Sequence, residues 1–241
     1  MMKNSTLEIY KDSLALSKAF TSFLKKIQSE YPVINLSLSG GSTPKALFDY
    51  WAEEKKCLEW DKISFFWGDE RCVSPDHEMS NFGMTQKHLF DKIPEIPSQN
   101  IFRIKGENDP QEEAIRYGNI LSSHVPKKNS LPCFEVIMLG LGEDGHTASI
   151  FPDQLELWNS TQNCVVATHP ENKGKRISLS GNVINNAQHV VFLVTGKGKA
   201  EKVRDCINYR QDFISKYPAA NVDPANGFLH WFLDEEAAGL L

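Results

Sequence analysis

Short apolar runs alternate with helix-like segments along most of this chain, and this alternation restricts its fold more than any other feature. The clearest runs occupy residues 33–38 (VINLSL), 63–67 (ISFFW), 134–139 (FEVIML) and 190–194 (VVFLV). Strands that are apolar on both faces belong to a parallel sheet that helices cover on both sides. The pattern therefore predicts an α/β fold, a three-layer αβα sandwich around a mostly parallel sheet.

Weaker patterns complete the predicted order of elements. Helices are expected over residues 7–28, 44–55, 81–90, 111–123 and 199–214, and further strands over 101–104, 164–167 and 176–180. No internal repeat or low-complexity tract interrupts this order, and the best candidate loops, 91–100 and 126–132, are too short to link two domains. We therefore expect residues 1–241 to form a single α/β domain.

Net charge and cysteine content indicate which binding partners and which cellular compartment to expect for this protein. The 241 residues carry a net charge of -5, which argues against a nucleic-acid partner because that role requires a basic face. No apolar run approaches the ~18 residues of a membrane span, and the N-terminal residues lack the apolar core of a secretory signal. The five cysteines are odd in number and widely spaced, and none forms a CxxC pair. These features predict a cytoplasmic protein with free thiols; they do not distinguish a monomer from a dimer.

The sequence SGGSTP (residues 39–44) follows the first apolar strand directly. Thr43 can cap the next helix, and Pro44 can be its first residue, where a missing N–H costs nothing. Gly40 and Gly41 permit close approach of a ligand to the backbone, and the start of a helix attracts an anion such as phosphate. The alternative is a plain strand-to-helix turn. The loop is neither a Walker A motif nor a GxGxxG fingerprint, so it does not indicate nucleotide binding.

Charged residues follow two other predicted strands. Asp69 and Arg71 lie in GDER, after strand 63–67, where an arginine can grip a phosphate or carboxylate with two hydrogen bonds. Arg176 begins RISLS, and Lys199 lies in TGKGKA after strand 190–194. Together with the first loop these cations can neutralise a dianionic phosphate. The alternatives are a surface ion pair for GDER and solvated surface side chains for Arg176 and Lys199.

The most apolar strand leads into GLGEDGHTASIFP (residues 140–152). His146 lies among glycines at a strand end, where a histidine is well placed to act as a general base, and Asp144 can orient it. The alternative is a purely structural histidine. The remaining histidines show no HExxH or other metal-ligand pattern and are predicted to be structural or surface residues. GxSxG is also absent, which argues against a serine nucleophile.

Taken in order, these loops resemble the 6-phosphogluconolactonase family. The shared series is SGGSTP, GDER with SNFGM, GLGEDGHTASIFP, KRISLS, TGKGKA and YPAANV, and it covers nearly the whole chain. The resemblance implies a Rossmann-like αβα fold shared with glucosamine-6-phosphate deaminases and ribose-5-phosphate isomerases. It also implies hydrolysis of 6-phospho-D-glucono-1,5-lactone to 6-phosphogluconate, the second step of the oxidative pentose phosphate pathway. No metal or organic cofactor is implied.

The resemblance also suggests roles for individual residues. His146 falls on the family's proposed catalytic histidine, and Gly41, Ser42 and Thr43 fall on its phosphate loop. Arg71, Arg176 and Lys199 fall on basic positions that face the substrate, without a fixed division between its phosphate and its lactone end. In loop 140–152, Glu143, Ser149 and Ile150 fall on positions where we expect the family to vary.

Two other functions compete with lactone hydrolysis. Glucosamine-6-phosphate deaminases share the Asp–Gly–His segment, but they typically continue into FNEPGS and carry Asp–Glu–Tyr where this chain has Asp69, Glu70 and Arg71. Here the continuation is TASIFP, so both differences favour the lactonase. A non-catalytic sugar-phosphate sensor would usually append a helix-turn-helix, whereas here the α/β pattern occupies the whole chain.

Overall fold

Eleven strands run through residues 4–241, the part of the chain that the computed structural model describes. They are β1 (Ser5–Tyr10), β2 (Ile34–Leu38), β3 (Ile63–Trp67), β4 (Asp69–Arg71), β5 (Lys127–Lys128), β6 (Leu131–Pro132), β7 (Val136–Leu139), β8 (Cys164–Thr168), β9 (Lys175–Leu179), β10 (His189–Val194) and β11 (Phe228–Asp234). Six of them pair in the order β1-β11-β10-β7-β2-β3, and every pairing in this sheet is parallel. The predicted α/β fold with a mostly parallel sheet is confirmed.

Helices cover both sides of the main sheet. The α-helices are α1 (Ser13–Glu30), α2 (Ser42–Glu53), α3 (Asn81–Thr85), α4 (Pro110–His124), α5 (Gly181–Ile184), α6 (Ala200–Asn208) and α7 (Arg210–Phe213). A π-helical turn spans Gln86–Phe90, and 3₁₀ turns span Trp60–Lys62, Ser98–Asn100, Pro152–Asn159, Lys197–Lys199 and Pro218–Asn221. Strands β2 and β7 are buried along their full length, including Asn35 and Ser37 of β2, as expected for central strands of a sheet that helices cover on both sides. No helix within residues 4–241 combines the length and the apolar character needed to cross a bilayer.

A second, antiparallel sheet lies beside the first, in the order β4-β9-β8. The segments predicted as strands 164–167 and 176–180 are β8 and β9, but they do not join the parallel sheet. Only six residues separate Thr168 from Lys175, and parallel neighbours need a crossover of roughly a dozen residues or more. The short connection therefore forces a hairpin, and β4 extends it along the edge of β9.

The two ends of the described chain pair with each other. The sequence pattern predicts one helix over residues 7–28, and this is wrong for its first part, because Ser5–Tyr10 forms β1. Helix α1 begins only after Asp12, whose side chain accepts a hydrogen bond from the amide of Ala15 at 2.8 Å. Strand β11, which was not predicted, lies between β1 and β10. The helical spacing of residues 7–10 is overridden by this long-range pairing, which no local pattern reveals.

Three other elements predicted from the sequence differ in extent from those in the structure. Segment 101–104 contributes one bridge, Ile101 to Phe65, and no strand. The helix predicted over 199–214 is broken at Tyr209, whose backbone leaves the helical region, so α6 and α7 are separate. The helix predicted over 81–90 is α3 continued by the π-helical turn.

The half-buried His189 and the buried His230 join the amino-terminal ends of β10 and β11. His189 Nδ1 lies 3.0 Å from His230 Nε2, and His230 Nδ1 lies 2.9 Å from the hydroxyl of Thr6 on β1. The ring of Phe23 packs against both histidines. Burial lowers the pKa of His189, and burial together with His189 lowers the pKa of His230 to about 4. Both rings are therefore neutral in the folded protein at neutral pH.

This pair makes folding stability depend on pH. Histidine in an unfolded chain titrates near ~6.5, so the unfolded chain binds a proton on His230 more readily than the folded protein does. The stabilisation is complete above that pH and is lost as the pH falls toward 4. From His230 alone we expect the free energy of unfolding to fall by about 2 kcal/mol between pH 7 and pH 5. Urea unfolding at pH 7, 6 and 5 measures this change in the free energy of unfolding.

The variant His230→Phe should flatten this pH dependence, because it removes the titrating ring. His124→Gln is the matched control, since His124 is exposed at the end of α4 and its loss should leave the pH slope as in the wild type. An unchanged slope in His230→Phe would contradict the assignment.

Candidate active site

Loops that follow β2, β3, β7 and β10 meet at the carboxyl edge of the main sheet, where they enclose two adjoining cavities. One cavity has a volume of about 220 Å³, and the other about 120 Å³. The larger of the two is lined by the predicted residues Gly40, Gly41, Asp69, Arg71, His146 and Lys199. The smaller is lined by Gly40, Gly41, Ser42, Thr43 and Lys199. The two share the glycine loop and Lys199.

Two predicted residues line neither cavity. Asp144 lies directly behind His146, to which it is hydrogen bonded. Arg176 is buried on β9, where it stands opposite Arg71 of β4 in the antiparallel register. All ten residues predicted from the sequence therefore lie at or immediately behind one edge of the sheet.

His146 is held in one orientation by Asp144. Its Nδ1 lies 2.6 Å from Asp144 Oδ1, and the same carboxylate oxygen accepts the amide N–H of His146 at 3.0 Å. When Nδ1 carries the proton that faces the carboxylate, Nε2 keeps its lone pair. Nε2 has no hydrogen-bond partner within residues 4–241, and His146 lines the cavity. The ring is therefore arranged to accept a proton on the cavity side.

The carboxylate of Asp144 stays ionised in this arrangement. Burial raises its pKa, but the hydrogen bond and the charge of His146 outweigh that effect, so the pKa of Asp144 lies below its ordinary value. Gly142 makes the close approach possible, since a Cβ at this position would lie 2.1 Å from His146 Nδ1 and 2.5 Å from Asp144 Oδ1. Gly142 is thus needed to bring the pair together.

Helix α2 points its amino terminus at the smaller cavity. The predicted cap, Thr43, is wrong: the helix begins at Ser42, Gly41 is the cap residue, and no side chain caps it. Gly41 has φ 106° and ψ -179°, a conformation essentially restricted to glycine. The amides of Gly40 and Gly41 have no acceptor within residues 4–241, and the first amides of any helix lack one. Thr43 instead bonds Thr195, at the end of β10, with 2.7 Å between their hydroxyl oxygens.

The cations at this edge are poorly neutralised. Arg71 donates from Nη1 to the carbonyl of Met79 at 2.5 Å, while its Nε is buried without a partner. Arg176 is 8% exposed, and neither guanidinium has an ion pair within the described chain. Burial, and then the positive charge of Arg71, lowers the pKa of Arg176. Lys199 has only a 3.8 Å contact with the exposed Glu143. Because these cations lack close carboxylate partners in the described chain, this surface is suited to bind an anion.

Several residues at the site were not singled out from the sequence. Asn81 lines the larger cavity, and Glu70 anchors it by accepting its backbone N–H at 2.7 Å. Glu70 also accepts hydrogen bonds from the backbone amides of Arg71 and Phe82. Burial raises the pKa of Glu70, and these hydrogen bonds partly offset that effect by stabilising the buried carboxylate. Phe151 packs against the ring of His146. Asn81 lies in SNFGM, which carried part of the family resemblance, but no spacing rule indicates its contacts.

A larger groove of about 730 Å³ adjoins these cavities along residues 75–88. It shares Gly41, Arg71 and Asn81 with the 220 Å³ cavity, but neither His146 nor Lys199 lines it. The residues suited to chemistry therefore lie in the smaller cavities. Within residues 4–241, no group of three or more His, Cys, Asp or Glu side chains is arranged to hold a metal ion.

Comparison with known proteins identifies the family. Residues 12–231 match the family described as Glucosamine-6-phosphate isomerases/6-phosphogluconolactonase. The 6-phosphogluconolactonase of Aggregatibacter actinomycetemcomitans is 41% identical over 229 residues, 94% of this chain and 95% of that protein. That of Treponema pallidum (strain Nichols) is 41% identical over 194 residues, 80% of each chain.

A solved structure agrees with these sequence relatives. The 6-phosphogluconolactonase from Trypanosoma brucei matches with a TM-score of 0.86 and 30% identity, over 98% of both chains. The fold, the match over residues 12–231 and the shared identity along most of the chain point to the same group of proteins. The family predicted from the sequence is thus confirmed, and the chain belongs to the glucosamine-6-phosphate isomerase/6-phosphogluconolactonase family.

Proposed function

We propose that this protein hydrolyses 6-phospho-D-glucono-1,5-lactone to 6-phospho-D-gluconate, the second step of the oxidative pentose phosphate pathway. Relatives that it matches over most of its length are named 6-phosphogluconolactonase. The observation that carries the proposal is the His146–Asp144 pair, which adjoins a cavity edged by unneutralised cations and a helix amino terminus. Enzymatic hydrolysis of an anionic lactone uses this combination: a general base that activates water, and positively charged groups that bind the anionic substrate.

His146 acts as the general base. Its Nε2 removes a proton from water as the water oxygen attacks C1 of the lactone, and a tetrahedral intermediate forms. Asp144 accepts the hydrogen bond from the Nδ1–H of His146 and stabilises the imidazolium. The imidazolium then gives the proton to the ring oxygen as the C1–O bond breaks, which leaves the open-chain acid. General acid–base help of this kind is worth ~10²–10⁴-fold in rate.

The other residues bind and orient the substrate. Gly41, Ser42, Thr43 and Lys199 meet at the 120 Å³ cavity and take the phosphate on the amino terminus of α2. The free amide of Gly40, with Arg71 and Arg176 nearby, is a group available to stabilise the oxyanion at C1. Binding energy from the remote phosphate orients C1 for attack.

We further infer that residues 1–241 act as one domain and work in the cytoplasm. The pairing of β1 with β11 supports a single domain, because it joins residues 5–10 to residues 228–234 in one sheet. The five cysteines support a reducing compartment, since all of them are free thiols.

Replacement of His146 tests the catalytic role. In His146→Ala we expect kcat to fall ~10²–10⁴-fold, because the base is lost, while KM changes little, because the phosphate grip is intact. The assay generates fresh lactone with glucose-6-phosphate dehydrogenase and follows acid release, corrected for spontaneous hydrolysis.

His124→Gln is the control, because His124 lines neither cavity, and it should retain the wild-type kcat. A near-normal kcat in His146→Ala would exclude the general-base role. Ammonia release from glucosamine 6-phosphate by the wild type, without lactone hydrolysis, would favour the deaminase activity instead.

Replacement of Lys199 tests the phosphate site. In Lys199→Met we expect kcat/KM for the phosphorylated lactone to fall roughly 10- to 100-fold, the usual loss for a hydrogen bond between charged groups. The rate with unphosphorylated D-glucono-1,5-lactone should not change, because that substrate lacks the group that Lys199 holds.

Lys197→Met is the matched control, because Lys197 lies in the same 3₁₀ turn but is exposed and lines neither cavity. Arg176→Met, measured on both lactones, assigns Arg176 to the phosphate or to the reacting end. An equal loss on both substrates in Lys199→Met would remove Lys199 from the phosphate site.

A further inference from the structure

Asp69 is a buried carboxylate at the wall of the 220 Å³ cavity, and both of its oxygens have partners within the protein. The hydroxyl of Ser149 donates to Oδ2 at 2.6 Å. The amide of Asn81 donates to the main-chain oxygen of Asp69 at 2.9 Å and lies 3.4 Å from Oδ1. Asp69 is 6% exposed and forms no ion pair within the described chain. Through these hydrogen bonds Asp69 connects the segment that contains Ser149 to the segment that contains Asn81.

Ser149 connects this link to the loop that carries His146. Its side chain is buried, and its amide donates to the hydroxyl of Ser178 on β9 at 3.2 Å. The turn between His146 and Ser149 contains Ala148 with φ 49°, a left-handed conformation that is unfavourable for alanine. Such a conformation persists only where the surroundings hold it, and the bond from Ser149 to Asp69 closes this turn onto the second sheet.

Asn81 connects the same carboxylate to the glycine loop. It is 2% exposed, and Glu70 fixes its backbone at the start of α3. A Cβ added at Gly40 would lie 1.8 Å from Asn81 Oδ1, so the amide group packs directly against the loop after β2. One continuous series, from Gly40 through Asn81 and Asp69 to Ser149, thus spans both walls of the cavity.

We propose that Asn81, Asp69 and Ser149 form a brace that fixes loop 140–152 relative to the glycine loop, and that they are positioning residues for the reaction. The proposal rests on the proposed function, and it gives Asp69 a role in holding the site together in place of direct substrate binding. It also gives a purpose to Ser149, which lies in a part of the loop where the sequence pattern suggests none.

The variant Ser149→Ala removes the hydroxyl and leaves Asp69 Oδ2 without its donor. We expect kcat to fall about 10- to 100-fold at nearly constant KM, since a small displacement of a catalytic group costs rate more than binding. Ser149→Thr, which keeps the hydroxyl, should recover most of the rate. Ser37→Ala is the matched control, because Ser37 is equally buried and its hydroxyl has no partner among residues 4–241.

A double-mutant cycle tests whether Asp69 and Ser149 act as one unit. Asp69→Asn should lower kcat as Ser149→Ala does, and the double variant should be little worse than either single one, because each already breaks the brace. Additive losses in kcat would overturn the proposal. A raised KM with unchanged kcat in Asp69→Asn would also overturn it, by assigning Asp69 to substrate binding.

Amide hydrogen exchange supplies a measurement that does not depend on turnover. In Ser149→Ala the amides of residues 140–150 should exchange faster than in the wild type, while those of β2 and β7 do not change and Ser37→Ala shows no local effect. Unchanged exchange in loop 140–150 would overturn the brace whether or not the protein hydrolyses the lactone. Absence of wild-type hydrolysis, with faster exchange in the variant, would refute the proposed function alone.

Discussion

Parallel pairing in the centre of the main sheet is the constraint on which the site depends. Leu38 at the end of β2 lies opposite Trp67 at the end of β3, and Leu139 at the end of β7 lies opposite Phe192 of β10. Since parallel strands all point the same way, the loops that leave them meet at one edge although they are distant in the sequence. The hydrogen bond from Gly68 N to Leu38 O shows how closely two of these exits are joined.

Electrostatics explains why the same edge can hold a dianion on a protein with a net charge of -5. Glu70, the buried carboxylate next to Arg71 in the sequence, accepts hydrogen bonds from three backbone amides and so acts as a structural anchor. Arg71 and Arg176 are thereby left facing each other without a carboxylate partner in the described chain. Crowding of the buried Arg176 against the partly exposed Arg71 is unfavourable by itself, and an anionic ligand relieves it.

The sequence predicted the parts of the site that depend on local chemistry. Glycine loops after apolar strands, a histidine two residues from an aspartate, and basic residues at strand ends are visible as patterns, and the structure gathers all of them at one edge. What could not be predicted depends on pairing between distant segments. The antiparallel sheet that carries Arg176, and the contacts of Asn81 with Asp69 and Gly40, join residues that no helical or strand period relates.

The same limit applies to the fold. Strands β2, β3, β7 and β10 consist mainly of apolar residues and were predicted, whereas β1 and β11 were not. Strand β1 is an edge strand, and its residues satisfy a helical spacing equally well. Its conformation is set by hydrogen bonds to β11, and such long-range pairing overrides weak local preference.

The position of β1 beside β11 also determines when the strands of the main sheet can pair during protein synthesis. A ribosome makes residues 5–10 more than two hundred residues before their neighbour in the sheet, residues 228–234. Until then β1 has no partner, and β10 is paired on one side only. The nascent chain therefore carries unpaired strand edges for most of its elongation, and the sheet closes on that side only when its last strand arrives.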